Sequence, residues 1–129
     1  MASAPEEQNP LRERRHAVDL ALRAHVEGAS GSGLPLYRMM QYQLGWVDHD
    51  GVELLTSDAP RTYGSLTAEA ALAVDPHADA EHAGAAVELF YESTCVHEQM
   101  QTGEAGGGLT PAVWWIWGPA QAINVGDGL

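Results

Sequence analysis

The sequence predicts an all-α protein, and two observations carry that expectation. Between His77 and Gln101, the residues Ala83, Val87, Phe90, Thr94 and His97 recur at three- and four-residue steps, while Ala86, Leu89 and Val96 cover a flanking face. That is the spacing of a helix packed on more than one side. The remaining chain is cut at short intervals by residues that start or stop helices: Asn9-Pro10, Gly28 to Gly33, Gly45, Asp75-Pro76 and Pro119. A chain of 129 residues with 45% hydrophobic content fits one domain with a buried core.

Residues 1-8 read as a flexible acidic tail, with neither the positive start nor the apolar centre of a secretory signal. The domain is expected over 9-129. Asn9-Pro10 pairs an N-cap residue with proline at the first helical position, and Leu11, Val18, Leu20-Ala21-Leu22 and Val26 follow at helical spacing. The Gly/Ser stretch from Gly28 to Gly33 ends that helix. Leu36 to Trp46 is a second helix stopping at Gly45, its Met and aromatic residues placed for a core. Asp48-His49-Asp50-Gly51 reads as a turn, because Asp-Gly favours one and three adjacent side chains rarely converge on one ion. A polar loop follows to Pro60, a third helix spans Tyr63 to Val74, and Asp75-Pro76 stops it before the long helix from His77 to Gln101. Gly103 to Gly108 holds four glycines and is expected to be mobile. Pro111 opens a last helix on which Val113, Trp114 and Trp117 share a face, and Pro119 ends or kinks it.

Charge narrows the function. The net charge of −12 and pI near 4.6 argue against nucleic acid, which is held by clustered Lys and Arg, and against an anionic membrane surface. No apolar run approaches transmembrane length. A single cysteine, Cys95, excludes an intramolecular disulfide and offers no zinc-ligand spacing. A cytoplasmic location is expected. The six basic residues are all arginines, the last being Arg61, whereas nine acidic residues lie beyond it. A diphosphate would be repelled there, since Arg or Lys normally holds such a group. Gly106-Gly107-Gly108 lacks the lysine of a phosphate-binding loop.

The most specific signal is His97-Glu98-Gln99-Met100-Gln101-Thr102, followed by Pro111-Ala112-Val113-Trp114-Trp115-Ile116-Trp117-Gly118, Ala120-Gln121-Ala122-Ile123-Asn124 and Gly126-Asp127. This register resembles the trans-isoprenyl diphosphate synthase (polyprenyl synthetase) family. There, a helix ends in histidine and D-D-x-x-D, an Arg-Arg pair follows, and then comes R-P-T-V-W-x-L-W-G-x-A-Q-A-I-N-A-G-D. Counted from His97 the match needs no gap. Tyr37 to Trp46 is similar to an early Y-R-M-M-R-Y-H-L-G-W segment, and Ala68-Glu69-Ala70 to A-C-E-A. The resemblance implies a partial isoprenoid-synthase-type helical bundle, with 9-129 a truncated prenyl-synthase-like domain.

The same register shows what departs. Glu98, Gln99 and Thr102 occupy the three aspartate positions, and Gly107 and Gly108 the Arg-Arg positions. The family uses Mg²⁺, which needs oxygen ligands of near-octahedral geometry, usually including carboxylates. An amide and a hydroxyl cannot balance its charge, so no cofactor and no metal residues are expected here. At the family's G-K-R-L-R-P the chain has Asp58-Ala59-Pro60-Arg61, a poor match in which only Arg61, in a shifted register, is left as a candidate diphosphate-binding cation.

Two functions follow from that resemblance. The first is a non-catalytic, small-subunit-like homologue that pairs with a partner in isoprenoid or terpenoid biosynthesis, as a homo-oligomer or as a heteromer with a full-length prenyl synthase. Phe90, Thr94, Met100, Trp114 and Trp117 are its candidate wall or interface residues, with a prenyl ligand possible. The alternative is a metal-independent terpene cyclase or isomerase. In it Glu98, its pKa raised by an apolar setting, is the acid and His97 its partner, with Glu104 nearby. His97 has a histidine counterpart in the family and also reads as a structural residue. The Val113-Trp114-Trp117 face is expected to meet the Val87-Phe90-Thr94 stripe.

Overall fold

The computed structural model describes residues 10–29, 35–55, 59–107 and 110–129. The expected tail, 1-8, lies outside them. The chain forms α1 (Pro10–Ala29), α2 (Pro35–Gln43), α3 (Thr62–Val74), α4 (Ala80–Thr102), β1 (Gly106–Gly107), β2 (Thr110–Pro111), α5 (Val113–Trp117) and α6 (Pro119–Gly128). The all-α expectation holds. Among the described residues no helix is long and apolar enough to cross a membrane.

Helix ends follow the local chemistry. Asp75 leaves α3 in an extended conformation while its N–H closes the last turn on Ala71 O, and Pro76 cannot continue the helix. Pro119 both ends and starts a helix. Gly118 sits at φ 91°, where glycine is favoured, and Pro119, with no N–H to place, is preset for the first turn of α6. Asp48 Oδ1 accepts the N–H groups of Asp50 and Val52, each at 2.9 Å, so the Asp48–Gly51 segment is a turn held by its own carboxylate.

Two expectations are corrected between α4 and α5. Gly106 and Gly107, read as part of a mobile stretch, pair antiparallel with Pro111 and Thr110. Gly106 is at φ 83°, and a Cβ there would come within 2.6 Å of Ala112 N. Glycine composition predicted freedom, but here it permits a close backbone approach instead. Pro111 belongs to β2 and does not open a helix, because α5 starts at Val113.

The chain divides into two compact units, the described residues of Met1–Ala24 with Pro60–Glu88, and His25–Ala59 with Leu89–Leu129. In the first, Val18, Ala21 and Leu22 of α1 are buried, as are Gly64, Ser65 and Ala68 of α3 and Gly84, Ala85 and Glu88 of α4. The backbones of α3 and α4 touch at two glycines: a Cβ on Gly64 would lie 2.6 Å from Gly84 O, and one on Gly84 would lie 2.5 Å from Gly64 O. In the second unit, Met39, Met40, Tyr42, Val47, Val96, Val113, Ala122 and Val125 form the core, joined at its edge by Met100, Trp114 and Trp117.

Candidate functional site

The last two turns of α4 carry the positions singled out by sequence. A helix turns residues one, three and four apart in different directions, and here only part of the set faces the core. Val96 is buried, Met100 is packed against the core of the second unit, and Gln99 lines a small cleft with Tyr42, Gln43, Thr110, Pro111 and Ala112. Glu98 and Thr102 are exposed, and the Thr102 hydroxyl donates to Glu98 O at 2.9 Å. One exposed carboxylate, one amide and one hydroxyl already bonded to its own helix make a poor donor set for Mg²⁺. Among the described residues no three His, Cys, Asp or Glu side chains are placed to hold a metal ion. The residues present therefore do not fit the metal that the fold's relatives would imply.

Glu98 is exposed, whereas the cyclase or isomerase reading expects that carboxyl in an apolar setting. His97 is half-buried. A Cβ on Gly126 would overlap its ring, so α4 and α6 meet where α6 has no side chain. The ring Nε2 lies 3.4 Å from Asp127 Oδ1. Both features place the imidazole between α4 and α6.

The aromatic candidates separate. Trp117 packs edge-on against Tyr42, with ring centroids 5.1 Å apart and planes at 81°. Trp114 donates its indole N–H to Glu104 O at 2.7 Å. Phe90 is 76% exposed and Thr94 is exposed, its hydroxyl donating to Phe90 O at 2.9 Å. The expected meeting of the Val113-Trp114-Trp117 face with the Val87-Phe90-Thr94 stripe is thus corrected. Within the second unit, α4 turns Leu89, Val96 and Met100 toward the core, and the tryptophan face packs with the core that Tyr42 and Val96 share. The helical period was right and the inward face was misassigned, because Phe90 is as apolar as Leu89.

Sequence reasoning missed three features. Tyr42 donates its hydroxyl to Pro111 O at 2.6 Å, pinning β2 to α2, and burial pushes its phenol up from the usual 10.0. Gln43 donates to Glu92 at 2.7 Å. Arg61, read as a surviving diphosphate cation, is 2% exposed and donates from Nε and Nη2 to Asp19 Oδ1, each at 2.9 Å. Its backbone is left-handed at φ 49° as it enters α3. Arg61 is part of the first unit's interior and is not offered to a substrate. No local signal distinguishes such an arginine from an exposed one, since its partner is 42 residues away.

No family model matches the chain. Among curated proteins, it is 35% identical over 96 residues to a geranylgeranyl diphosphate synthase of Mycobacterium tuberculosis, covering 74% of this chain and 27% of that protein. It is 31% identical over 93 residues to a (2E,6E)-farnesyl diphosphate synthase of Mycobacterium bovis, covering 70% of this chain and 26% of that protein. Its fold is similar to a crystal structure of a polyprenyl synthetase from Streptomyces coelicolor A3(2), with a TM-score of 0.73, 27% identity, and coverage of 92% of this chain and 35% of that one. The chain spans about a quarter of the length of these curated relatives.

Proposed function

We propose that this chain, which belongs to the trans-isoprenyl diphosphate synthase family and spans only part of its relatives' length, is a non-catalytic, small-subunit-like homologue in isoprenoid biosynthesis. The observation that carries the reading is the state of the aspartate positions: Glu98 exposed, Gln99 neutral, and the Thr102 hydroxyl spent on its own helix. Ionising an allylic diphosphate requires cations to neutralise the departing charge. With no Lys or Arg after Arg61, and Arg61 itself bonded to Asp19, that neutralisation has no source in this part of the chain. What the chain keeps is packing: the tryptophan segment and the Gly126-Asp127 seat for His97. Its role is to pair with a second polypeptide and shape or regulate a prenyl-synthase assembly.

The test is a two-part assay with isopentenyl and allylic diphosphates and Mg²⁺. The isolated chain should give no elongation above a no-enzyme control, and it should form a stable mixed complex with a geranylgeranyl or farnesyl diphosphate synthase of the same source. Metal-dependent elongation by the chain alone would overturn the reading. Asp restored at 98, 99 and 102 together should not rescue turnover, because the diphosphate-binding cations would still be missing.

A further inference from the structure

The cleft beside Gln99 lies wholly within the second unit. Tyr42 and Gln43 bound it from the end of α2, Gln99 from the last turn of α4, and Thr110, Pro111 and Ala112 from β2 and the residue after it. Its volume is about 140 Å³. Pockets for drug-sized ligands run to roughly 300–1,000 Å³, so this one has room for a single head group and none for a prenyl chain. The chain itself fixes the walls. Tyr42 and Ala112 are buried, the Tyr42 hydroxyl donates to Pro111 O at 2.6 Å, and the Ala112 N–H donates to Ala105 O at 2.8 Å. The Gln43 amide nitrogen donates to Glu92 Oε2 at 2.7 Å, which turns the amide oxygen away from that carboxylate.

Two carboxamides and a hydroxyl can bond a ligand of either sign, and the surrounding field selects one. Both α2 and α4 end at the cleft, and neither has a basic residue in its last turn. The C-terminal end of a helix carries roughly half a negative charge, so two such ends add where nothing offsets them. Glu92 stands behind Gln43. The unit carries nine carboxylates and one arginine, Arg38, whose side chain lies against Gly51 in the Asp48–Gly51 turn. A cation is drawn to such a place and a phosphate is repelled. Divalent metals need carboxylate ligands that these walls lack, whereas a nitrogen cation is a pure donor and needs only acceptors.

We propose that the cleft between the ends of α2, α4 and β2 receives a guanidinium or ammonium head group. The Gln43 and Gln99 amide oxygens and the Thr110 hydroxyl accept its N–H groups, and the two helix ends balance its charge. The head belongs either to a small organic cation or to an Arg or Lys side chain of another polypeptide. This goes beyond the pairing role, because it concerns a cation and holds whether or not the chain elongates prenyl diphosphates.

The experiment follows the amide NMR signals of the full chain as guanidinium chloride is added, far below denaturing concentrations, and repeats the titration with urea, an uncharged molecule of the same planar shape. Guanidinium should shift the side-chain amides of Gln43 and Gln99 and the backbone amides of Thr110 and Ala112 to saturation. Urea should bind at least about tenfold more weakly, with the difference shrinking as salt rises, and inorganic phosphate should move none of these signals. Gln99→Leu should weaken guanidinium by about tenfold, as loss of a bond to a charged group does, and Gln99→Glu should strengthen it. Gln101→Leu, at an exposed position of the same helix outside the cleft, should change nothing. A Gly-Arg-Gly peptide with blocked ends that binds more tightly than methylguanidinium assigns the head to a polypeptide, and equal binding assigns it to a small molecule. Urea binding as tightly as guanidinium would overturn the proposal. So would guanidinium shifts that are scattered over the carboxylates and persist unchanged in Gln99→Leu. If Gln99→Leu does not fold, the guanidinium and urea titrations of the original chain decide by themselves. Elongation by the isolated chain would sink the non-catalytic reading while leaving the cation result standing, so the two failures are distinct.

Discussion

The two units of this chain solve the same problem, fixing helices against one another, with opposite chemistry. The first holds five of the six arginines, and three of them, Arg14, Arg23 and Arg61, pair with its carboxylates. Asp19 receives Arg61 on one oxygen and Arg23 on the other, Arg14 reaches Glu69 and Glu81, and the buried Glu88 accepts the Gly64 N–H at 2.7 Å. The second unit has one arginine and is held by Met39, Met40, Tyr42, Val96, Val113 and Val125 with the tryptophans at their edge. Buried charges are costly unless every partner is in place, whereas an apolar core degrades in proportion to the volume lost. The first unit should therefore fail abruptly when one partner is removed, and the second by degrees.

The largest expected effect tests that abruptness. Asp19→Ala removes the carboxylate that pairs with the buried Arg61 guanidinium and should cost about 3–5 kcal/mol, the range for breaking a buried ion pair. Site-resolved hydrogen exchange should show α3 losing protection before α2 and α6. Equal loss in both units would mean that the two do not differ in the way argued. Trp117→Ala probes the other side. A buried tryptophan costs about 3–5 kcal/mol to truncate, and Trp117, being only partly buried, should fall at or below the low end, with protection lost first around Tyr42 and α6. An unchanged melting temperature would place Trp117 on a recognition surface instead.

A finer comparison sets one glycine against another. Gly64→Ala drives a methyl against the backbone oxygen of Gly84, which cannot rotate away, and should cost about 1–3 kcal/mol. Gly126→Ala meets the His97 ring, a side chain that can turn aside, so its melting point should drop less. The reverse order would mean that His97 is fixed as firmly as backbone.

The smallest effect is an alkaline one. Because burial raises the Tyr42 phenol in the folded state, the folded form holds its proton at a pH where the unfolded chain has released it. Stability is then intact below the ordinary value of 10.0 and declines as pH rises through the folded value. Tyr42→Phe should remove that decline and cost about 0.5–1.5 kcal/mol at neutral pH through the lost bond to Pro111 O. An alkaline melting profile identical in the two proteins would show that another group carries it.

How much of this was legible beforehand differs between elements. Helix positions up to α4 were readable within a few residues, because Pro10, Gly45, Asp75 and Pro76 act on their own neighbours. Around Gly106 and Pro111 the reading failed, since glycine permits both freedom and close approach, and only the paired strand says which. The candidate site was legible as a set of missing donors at 98, 99 and 102. Its surroundings were not. Phe90 and Leu89 are equally apolar neighbours, and nothing local tells which of them faces the core.

The sequence by itself determined the helices, the absence of cations beyond Arg61 and the similarity to prenyl synthases, because those are properties of neighbouring residues and of residue type. Only the tertiary structure decided that Arg61 binds Asp19, that Tyr42 holds Pro111 and that His97 rests on Gly126. Each joins residues far apart in the chain. Hydrogen bonds and steric fit act over a few ångströms, so such partners are chosen by how helices approach one another, and no local pattern along the chain records that approach.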